Sequence, residues 1–238
     1  MGVKQLALQF PYSWGGSRKG AGRRPRDGRG NVPHRPRSRH RKDWPVLITM
    51  RSKWRSLRTQ FVFPTVRRAI RSVNSGAVAG FRVCEFSIQG DHIHLLVEAE
   101  SSRALQRGVK SLAIRIAKRV NRLLFERGRF FIDRYHALAL TTPRAVRNAL
   151  VYVLGNFRKH EPLYAARSVI DCYSSAPYFH GFVEFDEATV RQRAARYVNR
   201  LDSQGSAPVE TAQTWLLAHG WKRYGLISIR EAPRREKS

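Results

Sequence analysis

Acidic residues are scarce in this chain. Seventeen Asp and Glu stand against 45 Lys and Arg over 238 residues, a formal net charge of +28. Solubility does not require such an excess, and a polyanionic partner is its simplest cause. Cysteine is almost absent: Cys84 and Cys172 lie far apart in unrelated contexts, which excludes a disulfide framework and a four-cysteine zinc site and suits a reducing cytoplasm. Long apolar runs are missing too. No stretch approaches the roughly 18 apolar residues of a membrane span, and no N-terminal leader pattern is visible, so the expectation is a cytoplasmic protein with no membrane partner.

What is present divides into three parts. Residues 1–43 are an arm rich in Gly, Pro, Arg and Ser, with too little apolar surface to fold alone. Arg18, Lys19, Arg23, Arg24 and Arg26 are its candidates for contact with nucleic-acid phosphates. Residues 44–160 carry the periodic patterns of a folded domain, and residues 161–238 read as an appendage with short helices.

Within the central part, Pro45 to Arg51 reads as a strand and Phe63 to Val78 as a helix. Strands follow over Phe81 to Ser87 and Ile93 to Ala99, joined by a turn at Gln89, Gly90 and Asp91. Ser102 can cap a long amphipathic helix through Leu105, Val109, Leu112, Ile116, Val120 and Leu123, which stacks Arg115, Arg119 and Arg122 as further nucleic-acid candidates. Phe130 to Leu140 resumes a strand pattern. Thr142 followed by Pro143 starts a helix running to about Lys159. This order implies an α+β, ferredoxin-like split β-α-β fold, an antiparallel sheet with helices on one face.

In GDHIHLLVEAE, His92 and His94 are one residue apart on a strand, so both imidazoles point to one face, as half of a metal site would require. More donors are available on the last helix, where Tyr152 and Asn156 lie four residues apart, about 40° around the axis. Two imidazoles and an amide oxygen around a divalent ion (Mg or Mn) leave positions open for phosphate oxygens. A tyrosine hydroxyl is a fitting nucleophile where the product must be stored covalently. Tyr135 is the rival nucleophile, without an amide partner at helical spacing, and His136 beside it has two readings, a contact with substrate or, the favoured one, a cap on the sheet.

These segments resemble a known family, the single-tyrosine HUH transposases, in the branch of REP-associated tyrosine transposases. GDHIHLLVEAE resembles the family's metal-binding strand, and DRYHALALTTPRAVRNALVYVLGNFRKH resembles its final strand and catalytic helix. GGSRKGAGRRP, SSAPYFHGF and TWLLAHGWKRYGLI resemble flanks of one branch. The resemblance implies that His92 and His94 are metal ligands, that Asn156 is the third, and that Tyr152 is the nucleophile. Phe157 stands where many members have Pro. It further implies cleavage and transfer of single-stranded DNA beside hairpins through a 5′-phosphotyrosine, by a monomer or homodimer. The competing readings are a non-catalytic basic nucleic-acid-binding protein on the same fold and a hydrolase that uses water.

Overall fold

Alternation builds the first strand. In β1 (Val46–Arg51), Val46, Ile48 and Met50 are buried on one side, while Leu47 and Thr49 turn to the other. It joins β2 (Phe81–Ile88), β3 (His92–Ala99) and β4 (His136–Ala139) in an antiparallel sheet of order β2-β3-β1-β4. That order is the split β-α-β arrangement expected from the succession of elements. The computed structural model describes residues 40–54, 56–166, 170–186, 188, 189, 192 and 207–232. Residues 1–39 of the arm, with Arg18, Lys19, Arg23, Arg24 and Arg26, and most of the basic stretch 187–201 lie outside the described residues.

One face of the sheet carries α1 (Val62–Ser72) and α2 (Ser102–Leu123), as expected. Phe63, Val66 and Ile70 from α1 and Val109, Leu112 and Ile116 from α2 close over Ile48, Ile93, Leu95 and Val97. α2 meets the sheet closely at Gly108, where a Cβ would stand 2.1 Å from the Phe81 ring. The opposite face is covered as well. There α3 (Pro143–Gly155) packs Val146, Leu150, Val153 and Leu154 against Leu96 and Cys84, together with Phe179, Phe182, Leu217 and Trp221 from the C-terminal residues.

Several boundaries differ from the sequence expectation for local reasons. The first helix stops at Ser72 and passes through a wider turn, Val73–Ala77, where Gly76 at φ 93° reverses the chain into β2. Ser101, not Ser102, caps α2: its extended backbone lets Oγ accept from Ala104 N–H at 3.1 Å. The strand expected over Phe130 to Leu140 narrows to His136–Ala139, with an isolated bridge from Phe131 to Ser52. Between them Asp133 Oδ1 accepts the Arg134 N–H at 2.7 Å and draws that donor out of the ladder. Thr142 and Pro143 start α3 as read, with the Thr hydroxyl accepting from Ala145 N–H at 3.2 Å.

Candidate active site

β3 is an inner strand, and its alternation decides which face holds the chemistry. Ile93, Leu95 and Val97 enter the core beneath α1 and α2, which leaves His92, His94, Leu96 and Glu98 on the α3 face. His94 is 2% exposed. Thr49 is its register partner on β1, so the two share a face, and Thr49 Oγ1 stands 3.0 Å from His94 Nδ1. Asp91, in the turn before β3, accepts from His92 Nδ1 at 2.7 Å and from Arg51 Nε at 3.3 Å. Each ring is thus held through Nδ1.

From the other side α3 delivers Tyr152 and Asn156, which stand 58 and 62 positions from His94 in the chain. Tyr152 Oη lies 3.3 Å from His94 Nε2, and Asn156 Nδ2 donates to the same nitrogen at 3.1 Å. With Nε2 accepting, the His94 proton belongs on Nδ1, where Thr49 Oγ1 accepts it. The His92 and His94 rings meet edge to face at 4.6 Å, and the Tyr152 ring meets His94 at 4.8 Å. All four residues singled out in the sequence converge within one chain.

The electrostatics favour neutral donors. Burial, reinforced by the positive charge His92 and His160 would carry, lowers the His94 pKa to about 3, so its Nε2 lone pair stays available through the physiological range. Burial also raises the Tyr152 pKa, an effect the adjoining Asn156 amide partly offsets, so the phenol is protonated at rest. At Asp91 burial opposes ionisation, but the hydrogen bond and charge of His92, with Arg51, outweigh it and lower the pKa.

Asn156 is fully buried, yet its Oδ1 has no hydrogen-bond partner. Buried acceptors are rarely left so, and an unused oxygen on an amide whose nitrogen meets His94 is available as a ligand. Nδ1 of each histidine is occupied by an oxygen group, the outer-shell arrangement that leaves Nε2 for a metal. Among the described residues no three His, Cys, Asp or Glu side chains group to hold a metal ion, so a centre here depends on the Asn156 amide. The residues present fit a divalent ion on those terms.

Two comparisons with known proteins find a likeness. Residues 48–153 match the family model of the IS200-like transposases. The match takes in less than half of the chain, and over these residues the chain is similar to the IS200-like transposases. The match spans β1 to most of α3 and takes in His92, His94 and Tyr152, while Asn156 falls just beyond it. A solved structure of a REP-associated tyrosine transposase bound to a REP hairpin is similar at 14% identity with a TM-score of 0.45, over 55% of this chain and 75% of that one. So distant a likeness carries no weight on chemistry. No curated protein matches. Among the described residues no helix is long and apolar enough to cross a membrane.

The other residues singled out in the sequence lie elsewhere. Arg115, Arg119 and Arg122 are on α2, across the sheet from His94. Arg115 is tied to α1 and its own helix by bonds to Ser72 and Ser111 at 3.0 and 3.3 Å, and Arg122 is exposed. Tyr135 is packed against the α1 and α2 core, on the far side from His94, whereas His136 is exposed and pairs across the sheet with Thr49. Thr49 and Asp91 were not anticipated, nor was His160, whose ring meets that of His92 at 5.2 Å. His160 continues the stripe of Tyr152 and Asn156 by four more residues, a signal the sequence does hold. Thr49 leaves no such trace, because only strand register brings it to His94.

Proposed function

We propose that this protein is a transposase that cuts and rejoins single-stranded DNA through a covalent bond between Tyr152 and a backbone phosphate. One observation carries the reading: the Tyr152 hydroxyl stands 3.3 Å from His94 Nε2, beside a buried amide with an unused oxygen. His92, His94 and Asn156 would hold a divalent ion, Mg or Mn, which when bound supplies Lewis-acid polarisation of a phosphate oxygen. The chain's own groups do the rest. Tyr152 Oη forms a bond to phosphorus, the P–O3′ bond breaks, and the electron pair leaves on the 3′ oxygen, which takes up a proton. The phenolic proton leaves towards the solvent-facing side of the half-buried ring.

The 5′-phosphotyrosine conserves the energy of the ester, so attack by a 3′-hydroxyl reverses the step without an external energy source. The site is complete within one chain, which makes a monomer sufficient for cleavage. Hydrogen bonds hold Thr49 and Asp91 against the two rings and so fix their tautomers before substrate arrives. Arg115, Arg119 and Arg122, with Arg18, Lys19, Arg23, Arg24 and Arg26 of the arm, provide sequence-independent attraction for phosphates. The substrate proposed is a single strand flanked by a hairpin, as the family resemblance implies.

The test is incubation of the full chain with a library of hairpin-flanked single-stranded oligonucleotides and Mg or Mn. The expected product is protein joined to a 5′ end with a free 3′-hydroxyl, lost in Tyr152→Phe and in chelator. Cleavage that persists in Tyr152→Phe, or that yields free 5′-phosphate with no adduct, overturns the proposal.

A further inference from the structure

Tyr152 can meet His94 only if α3 keeps its place over β3, and one stretch of the C-terminal region is bonded to both elements. Its root is on the strand that carries the histidines. Glu98, two register steps from His94 on the same face and 3% exposed, accepts from Thr214 N–H and Oγ1 at 2.9 and 2.8 Å and from Gln213 N–H at 2.9 Å. Thr214 in turn caps the short helix Trp215–Ala218.

From there the chain passes over α3. Trp221 is buried, stacks on Phe179 at 5.8 Å and bonds Leu217 O at 2.9 Å. At Gly225, φ 82° turns two successive carbonyls towards α3, a conformation that favours glycine. Arg147, in the second turn of α3, takes both: Nε donates to Gly225 O and Nη2 to Leu226 O, each at 3.0 Å. The same guanidinium holds Glu231 with both arms, at 2.6 and 2.8 Å, and its side chain is only 15% exposed. Beyond the far end of the helix, Arg158 donates to Ile229 O. Seven residues of chain thus pin the nucleophile helix at both ends.

We infer that residues 213–231 form a brace that fixes Tyr152 in the site of its own chain, with Arg147 as the positioning residue. Arg147 and Tyr152 are five positions apart, about 140° around the helix. The brace therefore grips a side of α3 away from the reacting hydroxyl and touches no substrate. Bidentate guanidinium-carboxylate bonds fix direction as well as distance, which a loop of apolar contacts alone would not do. Because Glu98 and His94 belong to one strand, any tilt of α3 relative to the histidines strains the Arg147 bonds. The helix is thereby kept from leaving to complete a second copy's site.

The inference rests on Tyr152 being the nucleophile, so two readouts are needed, one of which does not depend on it. Arg147→Met, Glu231→Gln and the exchanged pair Arg147→Glu with Glu231→Arg are compared with the wild type well below their melting temperatures. Hydrogen exchange of the α3 amides should accelerate at least tenfold in each single variant and return towards wild type in the exchanged pair. The rate of adduct formation should fall tenfold or more with the Kd for DNA changed less than threefold. Mixing Tyr152→Phe with His94→Ala should give no adduct in the wild-type background and measurable adduct once both carry Arg147→Met. Unchanged exchange, or faster exchange with an unchanged adduct rate, overturns the brace. If the wild type itself forms no adduct, the nucleophile assignment fails, and exchange alone decides the brace.

Discussion

Replacing Asn156 with Leu should make the metal-free protein more stable while removing its response to metal. Leu keeps the branched outline of Asn, so little packing is lost around a side chain that is fully buried. The unpartnered Oδ1 costs about 1–3 kcal/mol in the native state. Against that, the variant gives up the bond from Nδ2 to His94 Nε2, worth about 1 kcal/mol, though Tyr152 Oη remains beside that nitrogen. The net expectation in chelator is a gain of about 0–2 kcal/mol, or up to roughly 8 °C in Tm at 2–4 °C per kcal/mol for a chain of this size. With Mn at a hundred times Kd the wild type should gain about 2.7 kcal/mol, and the variant far less. Thermal unfolding by circular dichroism, with and without metal, gives both numbers. A variant destabilised by more than about 2 kcal/mol in chelator, or one that metal still stabilises fully, would refute the assignment of Oδ1 as a ligand waiting for its ion.

Two further expectations concern ionisable groups that hold the C-terminal residues to the sheet. Burial lifts the Glu85 pKa to about 8, against the lowering effect of the Ser175 hydroxyl. The folded chain thus keeps a proton that the unfolded chain releases from about pH 4.5 upward, and stability must fall as pH rises across that window. Glu85→Gln should therefore raise Tm above pH 8 and leave it nearly unchanged at pH 4; an equal shift at both would count against it. Asp171, 0% exposed, grips Arg58 at 2.9 and 3.0 Å, and Arg58 also donates to Ile88 O at 2.8 Å. Asp171→Ala removes the carboxylate that neutralises the buried guanidinium and should cost about 3–5 kcal/mol, whereas Asp171→Ala with Arg58→Met should cost less. A double variant no more stable than the single one contradicts that.

How much of this was legible follows from how local each feature is. His92 and His94 share a face because strand side chains alternate, and Tyr152 and Asn156 because helical ones return after four residues; neither fact needs the tertiary fold. The N-terminus of α3 was equally local, written in Thr142 and Pro143. That the two pairs face each other required the sheet, since 58 residues separate His94 from Tyr152. Thr49 became visible only with the register of β1 on β3, and Glu98 only with a bond across 116 positions to Thr214. The strand over Phe130 to Leu140 was read too long because apolar composition hid Asp133, whose side chain competes for a backbone donor. Trp221, Phe179 and Phe182 cover the second face of the sheet beside α3, a packing that no local pattern in the sequence announces.

The scarcity of acids takes on a definite meaning in the fold. None occurs in α1, α2 or α3, although an acidic residue in the first turn would stabilise each helix against its dipole. The acids nearest the site are committed to specific partners: Asp91 to His92, Glu98 to Arg82 and Thr214, Asp171 to Arg58, and Glu231 to Arg147. Each fixes a ring, a strand or the brace, and of the four only Glu231 meets a cation of these helices, Arg147 of α3. Arg68, Lys118 and Arg122 consequently face solvent without a neighbouring carboxylate on their own helices. An excess of charge distributed in this way repels itself in the absence of a polyanion, and bound nucleic acid relieves that repulsion. DNA should therefore stabilise the fold beyond what contacts at the catalytic site alone provide, and the surplus should shrink as salt is raised.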